Sequence, residues 1–184
     1  MIKPCLPANE AKRLKALKEL KIIDTVPEKE FDDISELASY VSNSPIALIT
    51  FIEEERQWFK SRIGIDMCES SRDLSFCGHA ILKPQEITII ENARLDERFK
   101  GNPLTESKDA PIIFYAGVPL TDKYGNALGT LCIIDHEPKK LNEHQIKNQI
   151  PCHITYTNNK VHQILKEGFE KSPLFDGSIQ GLGP

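Results

Sequence analysis

Long hydrophobic runs are missing from this sequence: the longest, Pro45 to Ile52, is less than half of the roughly 20 residues that a membrane-spanning helix needs. The first ten residues include Lys3, Pro4, Pro7, Asn9 and Glu10 and lack the continuous apolar stretch of a secretion signal. A cytoplasmic location without membrane contact is therefore expected. No Cys-x-x-Cys pair occurs, and Cys5, Cys68, Cys77, Cys132 and Cys152 are odd in number and scattered, which excludes a disulfide framework or zinc knuckle and predicts free thiols. There is no excess of positive charge either. A net charge of -4 gives a polyanion nothing to bind, so nucleic acid is not expected as a partner.

What is present is ordinary for a globular domain: 184 residues, 40% hydrophobic and 27% charged, enough for one core and too few for two full-sized ones. Leu14, Leu17 and Leu20 recur among Lys12, Arg13, Lys15, Lys18 and Lys21, predicting a helix over about 9–22 with Asn9 as N-cap and the basic side chains on a solvated face. Thr25 and Glu28 have capping-box spacing, Pro27 suits a first turn, and Phe31, Ile34, Leu37, Ala38 and Val41 form an apolar stripe, so a second helix is expected from there to about Val41. Ile46 to Ile52 is short and rich in branched residues, as in a buried strand, and Arg56 to Ile63 returns as its hairpin partner. Strict alternation in that return strand puts Trp58, Lys60 and Arg62 on one face and Gln57, Phe59 and Ser61 on the other.

Residues 64–88 are irregular apart from a short helix expected over about Ser75 to Leu82, and a brief strand follows at Ile87 to Ile90. Asn92 to Ala110 is polar and reads as a long connection. Ile112 to Leu120 and Ala127 to Ile134, joined by Thr121 through Asn126, form a second hairpin, expected at the centre of the sheet. Beyond Pro138, Ile146, Ile150, Ile154, Val161, Leu165 and Phe169 have helical spacing broken by Pro151. This order predicts an α+β layer structure around an antiparallel sheet, with a domain over 9–150 and a helical extension and loose tail over 151–184.

Four strings occur in a specific order: Arg56-Gln57-Trp58-Phe59-Lys60, Phe76-Cys77-Gly78-His79-Ala80-Ile81, Phe114-Tyr115-Ala116-Gly117-Val118-Pro119-Leu120, and Gly125 with Leu128-Gly129-Thr130-Leu131-Cys132. Together they resemble bacterial GAF domains, the sensory modules found before histidine kinases and diguanylate cyclases, over about Asn9 to Leu141. The resemblance implies a PAS-like central antiparallel sheet of about six strands, helices on one side, and a ligand cavity under a cap of loops and short helices on the other. It also implies a regulatory role without catalysis, an unidentified small-molecule ligand or a signalling partner protein, and a homodimer. No cofactor is specified. The chain lacks the Asn-Lys-x-Asp-Glu signature of cyclic nucleotide sites in phosphodiesterase relatives.

Within that frame Phe51, Ser61, Phe76, Cys77, His79, Phe114, Tyr115 and Cys132 are the expected pocket-lining residues. A thiol near an imidazole can become a nucleophile, but Cys77 and His79 are two apart on a helix and diverge there, so a structural or lining role is read instead. Metal binding by Cys77, His79, Asp135 and His136 needs convergence that their spacing does not supply. The family also includes free methionine-(R)-sulfoxide reductase. Cys68 and Cys77 fall near two of its cysteines, whereas Asn102 to Pro111, where its remaining catalytic cysteine belongs, contains none. A thiol-based redox enzyme and an interaction module with a vestigial pocket are the alternatives to the sensor. The stripe of Leu14, Leu17 and Leu20, with Ile146 and Ile150, is the expected surface for a second copy.

Overall fold

A computed structural model describes residues 1–141 and the single residue Gln163. Two helices come first, α1 (Glu10–Leu20) and α2 (Lys29–Ser42), followed by the hairpin of β1 (Ile46–Ile52) and β2 (Arg56–Ile63). A short β3 (Glu69–Ser71), a 3-10 turn (Arg72–Leu74) and a one-turn helix α3 (Phe76–Ala80) precede β4 (Thr88–Ile90), and the hairpin of β5 (Phe114–Thr121) and β6 (Ala127–Asp135) completes the sheet. The order β3-β2-β1-β6-β5-β4, antiparallel at every pairing, places β1 and β6 in the middle. The second hairpin therefore shares the centre with β1 instead of forming it alone. All seven residues of β1 are buried because both of its faces are covered.

The two faces of the sheet are distinct. Ile49, Phe51, Trp58, Leu120, Leu128 and Leu131 pack against Leu17 of α1 and Phe31 and Ile34 of α2. On the opposite face Leu48, Ile52, Phe59, Tyr115, Cys132 and Ile134 pack against Phe76, Cys77 and Ala80 of α3 and Phe99 of the long connection. We call these the helix face and the cap face.

Local chemistry explains where the elements begin and end. Ser75 caps α3, its hydroxyl accepting from the Gly78 amide at 2.7 Å. In the β5–β6 turn the Asp122 carboxylate accepts from the amides of Tyr124 and Asn126, and Gly125 takes the left-handed conformation at φ +80°. Gly129 is required for a different reason: a Cβ there would lie 1.8 Å from the Thr50 carbonyl oxygen of β1.

Three local expectations are corrected. Helix α2 starts at Lys29, because Thr25 and Glu28 do not close a capping box: both are partners of the buried Lys60 ammonium, and the Thr25 hydroxyl donates to the Ile22 carbonyl. Arg13 is not solvated but fully buried at the end of the sheet, donating to the Ile52 carbonyl. Leu17 is buried in the chain's own helix-face core and Leu20 packs partly against it, so Leu17 is not available to a second copy, while Leu14 is half-buried outside that core. The expected helix around Ile146 and Ile150 and the 151–184 extension lie outside the described residues apart from Gln163.

Candidate functional site

Alternation along the central strands delivers one polar cluster to the cap face. Thr50 of β1 and Thr130 of β6 face each other with hydroxyls 3.2 Å apart, and Cys132 follows two residues along β6 on the same side. Tyr115 of β5 reaches toward them because Gly117, two residues on, has no side chain: a Cβ at Gly117 would sit 2.0 Å from the tyrosine oxygen. Cys77 descends from α3 to meet these groups. Its sulfur lies 3.7 Å from that of Cys132, and the Tyr115 hydroxyl and the Gln57 amide both donate to it at 3.4 Å. Gln57 is itself held by the Ser75 hydroxyl, which donates to its carbonyl oxygen, so the residue that caps α3 also fastens it to β2.

Aromatic rings seal this cluster from the side. Phe76 stacks on Phe99 with centroids 3.9 Å apart and tilts against Tyr115 at 5.4 Å. Cys77, Cys132, Tyr115 and Phe76 are all buried. Burial alone pushes the Cys77 thiol up, but the hydrogen bonds from Cys132, Thr130, Tyr115 and Thr50 outweigh it and hold Cys77 below the ordinary thiol range. Cys132 is pushed up, first by its hydrogen bond to Cys77 and then by burial, and burial with the nearby Cys77 pushes the Tyr115 phenol up.

Of the expected lining residues, Phe76, Cys77, Tyr115 and Cys132 meet in this cluster. His79 sits on the outer side of α3, its ring edge-on to Phe99 and its Nε2 3.0 Å from the Ile2 carbonyl oxygen, and burial lowers its pKa. Phe51, Ser61 and Phe114 are on the helix face, which corrects their expected place in a common pocket. For Phe51 and Phe114 the reason is strand parity: Thr50 and Tyr115, their neighbours, point to the cap. For Ser61 it is a bulge. The β1–β2 register passes from Ile49↔Ser61 to Thr50↔Phe59, leaving Lys60 as an extra residue, so Lys60 and Ser61 both address α2.

Sequence reasoning missed several participants. Thr50, Gln57, Ser75 and Thr130 are buried polar residues in apolar strings, and only strand pairing shows them to be neighbours. The N-terminal residues were also missed: the Ile2 amide donates to the Arg98 carbonyl at 2.8 Å, Lys3 pairs with Asp73, and the Pro4 ring lies 2.9 Å from where a Cβ of Gly78 would be. This strap crosses the outside of α3. Asp135 and His136 are away from the cluster, Asp135 bonded to Lys139 and His136 to the Pro111 carbonyl.

With this sheet, cap and motif placement established, comparison with known proteins gives the class. The model of the GAF domain family matches residues 27–147, and the chain belongs to that family. A second model, glucose inhibited division protein A, matches residues 132–184. The chain is 37% identical over 139 residues to a protein of Pseudomonas aeruginosa named cyclic di-GMP phosphodiesterase PA2567, a match spanning 76% of this chain and 23% of that protein. Over 39 residues it is 59% identical to the tRNA uridine 5-carboxymethylaminomethyl modification enzyme MnmG of Christiangramia forsetii, covering 21% of this chain and 6% of that enzyme. In structure it is similar to the GAF domain of a phosphoenolpyruvate-protein phosphotransferase from Coxiella burnetii, with a TM-score of 0.60, 14% identity, and 87% and 96% of the two chains covered. No described helix is long and apolar enough to cross a membrane.

Proposed function

We propose that this GAF domain is a sensory and regulatory module whose cap face receives a small molecule or a partner segment and passes the change to α1 and α2 through the central strands. The observation that carries this reading is the cap-face cluster itself. Hydroxyls, thiols and an amide, from Thr50, Gln57, Ser75, Cys77, Tyr115, Thr130 and Cys132, are gathered under a one-turn helix and a long connection. Such groups orient a ligand by hydrogen bonds, as a few polar groups in an apolar pocket do. Among the described residues, the imidazole on α3, His79, is turned outward to the Ile2 carbonyl, so it does not stand beside Cys77 as a general base would.

The coverage supports a regulatory part. The likeness to the P. aeruginosa phosphodiesterase spans 23% of that protein, as a sensing segment attached to a separate catalytic one would. Pairing with a second copy and action in the cytoplasm belong to the same reading. A second reading, an interaction module whose pocket is filled by its own side chains, is favoured by the Phe76–Phe99 stack and the complete burial of Tyr115.

Native mass spectrometry of the purified full chain tests the proposal. A bound small molecule that leaves on denaturation, and that the Tyr115→Trp variant does not retain, is the expected result. Bare protein under all expression conditions favours the filled-pocket reading. Catalytic turnover of free methionine sulfoxide with a thiol reductant overturns the non-enzymatic assignment.

A further inference from the structure

The contact between Cys77 and Cys132 joins the cap to the middle of the sheet. Cys132 is in β6, held between β1 and β5, and cannot move independently. Cys77 is on α3, which is one turn long, tied to β2 through Ser75 and Gln57 and packed on the sheet through Phe76, Cys77 and Ala80. The sulfurs are 3.7 Å apart. A disulfide requires about 2.05 Å, a closure that a side-chain rotation and a small tilt of a single helical turn can supply. By contrast, Cys5 and Cys68 are exposed.

The surroundings make the two sulfurs unequal. Cys77 receives hydrogen bonds from the Tyr115 hydroxyl and the Gln57 amide, the arrangement that favours a thiolate, while the hydrogen bond to Cys77 and burial push the Cys132 thiol up. Both sulfurs are buried between α3 and the sheet, so an oxidant reaches them through local opening of that one-turn helix.

We propose that Cys77 and Cys132 form a redox-active pair, oxidised to a disulfide by hydroperoxides. The Cys77 thiolate attacks the terminal oxygen of the hydroperoxide. The O–O bond breaks, the alcohol (or water) departs with a proton, and Cys77 becomes a sulfenic acid. The Cys132 sulfur then attacks the Cys77 sulfur: the S–S bond forms, the S–O bond breaks, and the hydroxide leaves with the Cys132 proton as water. The two thiols lose two electrons and the peroxide gains them. The product ties α3 to β6 and removes Cys77 as an acceptor for Tyr115 and Gln57, so the cap is fixed in one position. This inference does not depend on a ligand under the cap.

The test treats the reduced full chain with hydrogen peroxide, alkylates remaining thiols after unfolding, and maps the peptides. A Cys77–Cys132 linkage that a phosphine reductant reverses is expected, in the wild-type chain and in a variant with Cys5, Cys68 and Cys152 replaced by Ser. Cys132→Ser should stop at a Cys77 sulfenic acid that dimedone traps. Both thiols still alkylatable when Cys5 and Cys68 are oxidised, or a linkage of Cys77 to a different cysteine, would overturn the pair.

Discussion

The two faces of one sheet bury different chemistry. On the cap face the buried polar groups are hydroxyls, thiols and an amide, clustered around Cys77. Toward α1 and α2, and at the end of the sheet where the β1–β2 turn meets the 3-10 turn, they include buried charges. There Glu10 accepts from both Arg13 and Arg72, while Arg13 donates to the Ile52 carbonyl and Arg72 to that of Glu53. Lys60 is buried against Thr25, the Val26 carbonyl, Glu28 and the Phe31 ring. Buried charges need fixed partners and tolerate little movement, whereas neutral hydroxyls and thiols can exchange partners at low cost. The comparison assigns stability to the helix side and adaptability to the cap.

The largest expected effect breaks the charged side. Glu10→Ala leaves Arg13 and Arg72 without their carboxylate and should cost about 3 kcal/mol, read as a lower midpoint in urea with an unchanged slope. Glu10 also gives this clamp a pH signature. Burial raises the pKa of its carboxyl, but the hydrogen bonds from Arg13 and Arg72 prevail and lower it from 4.5 to about 2. Its folded value is below its unfolded one, so its contribution is complete above about pH 4.5 and is lost as the pH falls toward about 2. A Glu10→Gln variant should flatten stability against pH in that window. A profile identical to that of the wild type would remove Glu10 from the account.

An intermediate effect is expected at Lys60→Met, which strands the Val26 carbonyl and should cost about 2 kcal/mol in the same denaturation measurement. The smallest belongs to the cap: Tyr115→Phe removes only the hydroxyl bonded to Cys77 and should cost about 1 kcal/mol or less. If Tyr115→Phe proved as damaging as Glu10→Ala, the division of labour between the faces would fail.

How far the residues alone reveal this protein differs by element. The β1 and β2 strands, the short helix after Ser75 and the β5–β6 hairpin are legible because their periods, caps and turn residues are local signals. Strand β3 is not, since Glu69, Ser70 and Ser71 have no apolar alternation and pair only because Arg56, Gln57 and Trp58 present an open edge. Half of the expected pocket set came together for a related reason. Phe76, Cys77, Tyr115 and Cys132 share a face, but Phe51 and Phe114 are one residue out of parity and Ser61 is displaced by the Lys60 bulge.

Four motif strings in order were enough to define the family and the antiparallel α+β layers, because spacing, turn chemistry and strand composition are properties of neighbours in the chain. Which polar groups meet was decided by folding. Arg13 is one of several basic residues along α1, and Cys132 one of several buried residues in β6, until β1 pairs with β6 and α3 closes over them. Burial and partnership between residues many positions apart follow from that packing, and they turn an unremarkable arginine into a clamp and two scattered thiols into a pair.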